Sequence, residues 1–249
     1  MKPGGAPAQQ PALTPQDPPP GFNWEMFQGP AKRKPFVPAR RNWRGWYDYG
    51  GGNLTDWGVH LTDVMNWFMK MDNTTPLLTS ASAQYVRIPR DPERVPDTYS
   101  VTWQYEKFVA TLSNAVIPGA EGLQEMYGNW FFGDRGVLLV NRLGYEVKPI
   151  PRSPARPPAP GAPAVPEPPP AIEAKKFKDP SGMSEIAEST FGSATGRHVR
   201  NFLDCVKSRQ RPVCDIEIGF NSALPCLLAI VSIKEGRTVK WDGKEAKTT

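Results

Sequence analysis

The residues best suited to chemistry lie in one short stretch, a run of three glycines followed by Asp56, His60 and Asp63. Helical residues advance about 100° each, so these three side chains share one stripe of a helix predicted over residues 56–70. An imidazole titrates near neutral pH and can exchange a proton with a hydroxyl, and a carboxylate one turn earlier can orient it. The spacing therefore favours acid–base catalysis by Asp56 and His60, with Asp63 contacting the substrate.

Two other interpretations of this stretch remain open. Asp56 could simply cap the helix or meet its dipole. The three side chains could also bind a metal in a sugar isomerase or lyase. Metal sites are more often built on closely spaced His or Cys pairs, and the chain has only two histidines and no such pair. We therefore expect no metal.

The segments around this stretch are expected to position it. Glycine lets the backbone turn tightly and lets a ligand come close, which makes Gly51 and Gly52 candidate cofactor contacts. Residues 42–49 contain four aromatics, and an indole such as Trp43 could form the wall of a sugar pocket or equally pack in the core. The apolar side of the helix is expected to dock on the core through Trp57, Leu61, Val64 and Phe68.

Composition divides the chain. It has 249 residues and 29 prolines, more than a compact fold of this size usually holds. Residues 1–21 contain little to bury and are predicted to be a disordered Pro-rich terminus. Residues 22–249 then form one domain, interrupted at 149–170 by a Pro-rich surface insertion that suits neither sheet nor helix interior.

Periodicity predicts an α+β fold, with a mostly antiparallel sheet and helices packed on one face. Alternating apolar and polar residues predict strands, and short turns between them indicate antiparallel pairing: 77–88, 98–105, 107–116, 125–132, 136–140, 145–150 and 237–242. The open face of the sheet is then available for homo-oligomerisation. Amphipathic helices are predicted at 197–206 and 219–235, and residues 175–192 are predicted to be irregular. His198 begins the first of these helices and is a candidate substrate contact, although an exposed or capping histidine would fit the pattern too.

Charge and cysteine content narrow the functional classes. The net charge is +5, and most of the excess lies in residues 1–50, which hold seven Lys and Arg against three acids. This is too little for a nucleic-acid interface and fits a solvated loop better. Three cysteines without close spacing favour a reducing, cytoplasmic location. No stretch is expected to span or anchor to a membrane, and no signal peptide is visible.

The ordered pattern from Trp43-Arg44-Gly45 through the glycine run to Asp56, His60 and Asp63 resembles the second domain of the Gfo/Idh/MocA family. These are nicotinamide-dependent sugar and polyol oxidoreductases, whose C-terminal domain has a dihydrodipicolinate-reductase-like fold. The resemblance extends less sharply over residues 22–241. It implies that Asp56 and His60 act on the substrate hydroxyl that loses hydride, with NAD or NADP as cofactor.

The departure from the family pattern is as informative as the match. Family members begin with a nucleotide-binding domain, marked by a Gly-rich turn and a Glu-Lys-Pro motif whose Lys joins the catalytic set. The sequence shows neither motif. We therefore expect a substrate-binding and assembly domain that needs a separate nucleotide-binding domain to act as a dehydrogenase and does not bind NAD(P) alone. The alternative is a catalytically inactive oligomerisation or carbohydrate-binding module.

Overall fold

The structure is a computed structural model and describes residues 13–114, 127–150, 172–178 and 194–249. Most of the predicted insertion at 149–170, and the first part of the predicted disordered segment 1–21, lie outside these residues. The chain divides into two compact units. Unit 1 comprises Met1–Pro118 with Ile216–Thr249, and unit 2 comprises Gly119–Asp215. The domain limits set from composition remain a prediction.

The elements of the described residues follow one another in a mixed order. The helices are α1 (Trp24–Gln28), α2 (Gly52–Asp56), α3 (Gly58–Met69), α4 (Ala194–Ser208) and α5 (Ile216–Glu235), and two short 3₁₀ helices cover Pro38–Arg41 and Trp43–Gly45. The strands are β1 (Leu78–Gln84), β2 (Thr98–Gln104), β3 (Val109–Asn114), β4 (Asn129–Phe132), β5 (Gly136–Asn141), β6 (Gly144–Pro149), β7 (Lys175–Lys178), β8 (Val239–Trp241) and β9 (Ala246–Thr248).

Unit 1 is built on a five-stranded antiparallel sheet in the order β3-β2-β1-β8-β9. Side chains alternate between the faces of a strand, and β2 accordingly buries Tyr99, Val101 and Trp103 on one side. Helix α5 packs on this sheet through Cys226 and Ala229, which join the same apolar core. The core of unit 1 therefore lies between α5 and one face of the sheet.

A proline inside α5 ties this helix to α3. Pro225 has no N–H, so the carbonyl of Asn221 lacks the donor that a helix normally provides four residues later. The fully buried Asn66 supplies the missing bond, since its Nδ2 donates to Asn221 O at 3.1 Å. The Thr62 hydroxyl donates to the neighbouring carbonyl of Ser222 at 2.6 Å. Polar bonds between the helices thus fix α3 on α5.

The expected helix over residues 56–70 is interrupted. The prediction of which of its sides packs on the core is wrong. Trp57 separates α2 from α3, and the amide of His60 bonds to the carbonyl of Trp57 three residues back, as in a 3₁₀ turn. The residues of α3 that are buried are small or polar in the main: Gly58, Thr62, Met65 and Asn66. Trp57 and Phe68, expected to be buried, are 43% and 42% exposed. The close approach of α3 to α5 leaves no room for the larger side chains, and at Gly58 an added Cβ would lie 3.2 Å from Cys226 Sγ.

Unit 2 contains a four-stranded antiparallel sheet in the order β4-β5-β6-β7. Trp130 and Phe132 lie on one face of β4 and are 42% and 78% exposed. Helix α4 is amphipathic as predicted, but its apolar residues are exposed in the described structure: Val199, Phe202, Leu203 and Val206.

The α+β class with antiparallel pairing is confirmed, although the strands form two sheets and not one. Each predicted strand corresponds to an observed one, with ends that differ by a few residues. Among the described elements, the sequence analysis did not predict α1, the two 3₁₀ helices, β9, or β7, which lies within a segment predicted to be irregular. The prediction of helices on one sheet face holds for α5 in unit 1.

One of the described helices is long and apolar enough to cross a membrane, contrary to the sequence expectation. It is α5, with a mean hydropathy of 1.8, and 39% of its apolar window is buried within the protein. Its buried residues include Leu224, Cys226 and Leu228, which belong to the apolar clusters of unit 1. In this structure α5 is therefore the core helix of unit 1.

Candidate functional site

A network of charged side chains, of which only Arg40 is buried, holds the segment that leads to the candidate site. Lys34 Nζ lies 2.9 Å from Asp48 Oδ2 and 2.5 Å from Glu93 Oε1. Arg40 pairs with the same two carboxylates, at 3.1 Å for Asp48, and its guanidinium lies 4.1 Å from the ring centroid of Trp46. Because Glu93 belongs to a distant part of the chain, these pairs fasten residues 34–48 to the loop before β2.

The charges of this network also shift the pKa values of Lys34 and Asp48. Burial would lower the pKa of Lys34, but its hydrogen bonds to Glu93 and Asp48 outweigh burial and raise that pKa. Burial would likewise raise the pKa of Asp48, but hydrogen bonds from Lys34 and Arg40 hold it below the ordinary value. The raised pKa of Lys34 and the lowered pKa of Asp48 both favour the charged forms of these two side chains at neutral pH.

At the two positions predicted to contact a cofactor, Gly51 and Gly52, the packing of unit 1 itself requires glycine. Gly51 is buried, and an added Cβ would overlap Thr55 Cγ2 and lie 3.0 Å from Ile230 Cδ1. Gly52 has a φ of +62°, which favours glycine, and its Cβ would meet Val95 Cγ1 at 2.9 Å. Glycine at these two positions therefore allows the tight turn into α2. The space beside both glycines is occupied by side chains of unit 1.

Asp56 lies at the end of α2 and is paired with an arginine that the sequence analysis did not single out. Arg44 Nε donates to Asp56 Oδ2 at 2.7 Å. The same guanidinium lies 4.9 Å from the ring centroid of Trp43, which is 42% exposed. The side chains of Arg44 and Asp56 are 51% and 31% exposed. The result is an indole, a guanidinium and a carboxylate in contact at the surface of unit 1.

His60 lies four residues further along the chain, in the first turn of α3, and is exposed. The ring of Trp57 contacts it edge-on, with centroids 6.1 Å apart. Within the part of the chain that the structure describes, no hydrogen bond joins the imidazole to Asp56, whose carboxylate is bonded to Arg44. Trp43, Arg44 and Asp56 are thus in contact with one another, and Trp57 contacts His60. The two sets adjoin in the chain at Asp56 and Trp57, and we call these five residues the Trp43–His60 cluster.

Asp63 turns away from this cluster and toward α5. Its Oδ1 accepts a hydrogen bond from the buried Ser222 hydroxyl at 2.7 Å. Among the described residues no group of three His, Cys, Asp or Glu side chains gathers with the spacing of a metal site. The metal alternative required Asp56, His60 and Asp63 to converge. The two carboxylates instead have separate protein partners, Arg44 for Asp56 and Ser222 for Asp63.

His198 belongs to unit 2, where it is exposed near the start of α4. Its predicted contact with substrate stays a prediction. Arg44 is the residue that sequence reasoning missed, because it was grouped with the basic residues of a solvated loop. Its place directly after Trp43, at the start of the ordered pattern, is the signal that could have identified it.

Residues 8–113 match the family described as "Oxidoreductase family, C-terminal alpha/beta domain", the second of the Gfo/Idh/MocA C-terminal domains. The matched segment contains the whole Trp43–His60 cluster. No curated protein matches the chain.

Several solved structures match part of the chain at low identity. An NAD-binding protein from Listeria innocua matches with a TM-score of 0.48 and 18% identity, over 80% of this chain and 54% of that one. An aldose-aldose oxidoreductase from Caulobacter crescentus, complexed with glycerol, gives 0.47 and 16%, over 78% and 49%. The WlbA dehydrogenase from Bordetella pertussis, in complex with NADH and UDP-GlcNAcA, gives 0.44 and 13%, over 80% and 48%. The chain thus spans about half the length of these proteins. As the sequence pattern predicted, residues 8–113 resemble the C-terminal domain of the Gfo/Idh/MocA oxidoreductases.

Proposed function

We propose that this chain is the substrate-binding and assembly domain of a nicotinamide-dependent oxidoreductase that acts on a sugar or polyol. The observation that carries the proposal is the Trp43–His60 cluster, in which exposed indoles, an ion pair and an imidazole lie together on unit 1. Aromatic faces stack on the apolar faces of sugar rings, and polar side chains bind their hydroxyls. The family match over residues 8–113 supports an oxidoreductase reaction.

The proposed reaction is oxidation of a carbinol. His60 takes the proton of the substrate hydroxyl, since an imidazole can exchange a proton with a hydroxyl. Asp56 holds the substrate beside it, and Asp63 fixes the position of α3 through its bond to Ser222. NAD or NADP supplies the hydride acceptor when a nucleotide-binding domain presents it. The imidazole, the carbinol carbon and the nicotinamide must be held in a fixed relative geometry, and this requires both domains.

The described residues do not fit a dinucleotide by themselves. A dinucleotide site uses glycines whose open faces allow the pyrophosphate to approach the backbone. The space beside Gly51 and Gly52 is instead taken by Thr55, Ile230 and Val95. We therefore propose that the nucleotide site is formed chiefly by a separate domain and that a cofactor reaches Gly51 or Gly52 only through their backbone atoms. We also propose a reducing, cytoplasmic setting, because the three cysteines lack the close spacing of a disulfide framework.

Ligand titrations of the full chain test this proposal. The chain has two histidines, so NMR resolves one imidazole signal from His60 and one from His198. We expect a sugar or polyol to shift the His60 signal, and to shift the His198 signal as well if that residue contacts substrate. NADH is expected to leave both signals and the tryptophan fluorescence unchanged. A panel of aldoses and inositols that never moves the His60 signal would contradict the proposal.

Supplying the nucleotide-binding domain tests the chemistry. We expect dehydrogenase activity to appear when a family nucleotide-binding domain is fused to the N-terminus. His60→Ala should then lower kcat by roughly 10²-fold or more, the usual worth of a positioned base. His198→Ala, the comparison variant, should act on KM alone if its predicted role is correct. Equal kcat values for the His60 variant and the parent would remove His60 from the mechanism.

The second candidate is a catalytically inactive oligomerisation or carbohydrate-binding module. The observation in its favour is the exposed apolar face of the sheet in unit 2, where Trp130 and Phe132 are 42% and 78% exposed. Such a face is typical of a surface that a second copy covers. Light scattering of the chain and of Phe132→Glu distinguishes the outcomes. An oligomer that Phe132→Glu dissociates supports assembly through this face, and a monomeric parent chain opposes it.

A further inference from the structure

The ion pair of the Trp43–His60 cluster has hydrogen-bonding capacity that the protein does not use. Arg44 binds Asp56 through Nε and Oδ2 alone. Within the described residues the two Nη groups of Arg44, and Oδ1 of Asp56, have no hydrogen-bond partner. Both side chains reach solvent, at 51% and 31% exposure. Four N–H donors and a carboxylate oxygen are therefore presented side by side at the surface.

The pair is also held in place before any ligand binds. The guanidinium of Arg44 lies over the Trp43 ring, 4.9 Å from its centroid. The Trp43 ring is itself seated against the turn, since a Cβ added at Gly50 would lie 3.4 Å from it. Asp56 closes α2, whose tight entry is fixed by Gly51 and Gly52. A preorganised polar pair beside an exposed indole loses little freedom when it binds a ligand.

The charge of the pair decides which ligand it suits. Arg44 is already neutralised by Asp56, so an anionic group would meet the carboxylate as well as the guanidinium. A hydroxyl both donates and accepts, and two adjacent hydroxyls can accept from Nη while donating to Oδ1. The exposed face of Trp43 can then cover the apolar side of the ring that carries them.

We infer that Arg44 and Asp56 together bind a vicinal diol of a neutral sugar or polyol, and that this contact selects the substrate. The inference rests on the proposed function, because it places the diol beside the imidazole of His60. Arg44 binds substrate directly in this arrangement. Acidic sugars, whose carboxylate or phosphate would face Asp56, are disfavoured as substrates.

Titration of the full chain tests the inference without any cofactor. The probes are myo-inositol, D-glucose, D-galactose and D-mannose, followed by deoxy analogues of whichever binds and by D-glucuronate. We expect at least one neutral probe to shift the His60 NMR signal. Removing one hydroxyl of the bound diol should weaken binding roughly tenfold, the worth of a charge-assisted hydrogen bond. D-Glucuronate should bind no better than D-glucose.

Variants then assign the contact to the pair. Arg44→Met removes the donors, and Arg44→Lys keeps the charge but loses the planar fork. Both should weaken binding roughly tenfold or more, and so should Asp56→Asn. Arg41→Met, at a neighbouring exposed arginine, should bind like the parent chain. Thermal unfolding checks that each variant is folded, and the deoxy analogues test the same contact on the unmodified chain.

The possible results separate this inference from the proposed function. If a sugar moves the His60 signal but the Arg44 variants and the deoxy analogues bind unchanged, the diol contact is wrong while the sugar site at His60 stands. Tighter binding of D-glucuronate than of any neutral probe would also overturn the diol contact alone. A chain that binds none of the probes overturns both.

Discussion

The contact between Asn66 and the proline-containing helix α5 gives a sharp test of how α3 is positioned. Asn66 is fully buried, and its Nδ2 donates to the Asn221 carbonyl that Pro225 leaves without a helical partner. Its Oδ1 also accepts from the Tyr105 hydroxyl at 3.4 Å. In Asn66→Ala a buried carbonyl loses its donor and a small cavity forms. We expect the free energy of unfolding to fall by about 2–4 kcal/mol.

The magnitude should depend on residue 225. In Pro225→Ala the new N–H can donate to Asn221 O along the helix, so Asn66 is no longer the only available donor. The cost of Asn66→Ala should therefore drop by about 1–2 kcal/mol in that background, which a double-mutant cycle measures directly. The bond from Trp103 to the Pro225 carbonyl is kept, because it involves the backbone.

Urea unfolding followed by tryptophan fluorescence and by circular dichroism provides the measurement. Asn53→Ala, at an exposed position of α2, is the matched control and should change stability by about 0.5 kcal/mol or less. The reasoning is refuted if Asn66→Ala costs the same in the parent chain and in the Pro225→Ala background. It is also refuted if Asn66→Ala is as mild as the control.

Three further predictions concern the charge network, the turn and the thiols. Because the pKa of Asp48 is lowered in the folded chain, its contribution to stability is present above about pH 4 and is lost as the pH falls through the folded pKa. The urea midpoint of Asp48→Asn should therefore fall less than that of the parent between about pH 5 and pH 3. Gly52→Ala, with a φ of +62° and Val95 2.9 Å from the new Cβ, should destabilise by about 1–3 kcal/mol. Gly45→Ala, which meets nothing within 4 Å, should cost far less in the same assay. Burial raises the pKa of Cys226 to about 12, so a thiol reagent at about pH 8 should label the exposed Cys214 in the native chain and Cys226 only after unfolding.

Patterns that depend on local sequence were predictable. The strand positions followed from alternation, as in β2, where every second residue is buried. The turn into the site followed from three successive glycines, since a positive φ at Gly52 needs a residue without a side chain. The family resemblance followed from an ordered pattern that spans several elements, and the match over residues 8–113 confirms it.

Features that depend on distant partners were not predictable. The break between α2 and α3 leaves no mark in the periodicity, because Trp57 keeps a helical backbone angle. The Arg44–Asp56 pair joins residues twelve apart through a turn whose path is set by the Lys34, Arg40, Asp48 and Glu93 network. Strand β7 could not be identified from Lys175–Lys178, since its pairing with β6 and not its composition makes it a strand.

Helix α3 buries polar residues and exposes large apolar ones, and this arrangement links the fold to the proposed function. A surface helix normally buries its large apolar residues, but α3 buries Thr62 and Asn66, because α5 approaches closely and its Ser222 and Asn221 carbonyls accept hydrogen bonds from them. Met65 is its only large apolar residue that is buried, and Trp67 and Phe68 are 67% and 42% exposed. His60 lies at the N-terminal end of this exposed side of α3. A helix with this arrangement is costly to leave in water unless something covers it. This supports the proposal that the imidazole meets its substrate at a surface completed by a second, nucleotide-binding domain.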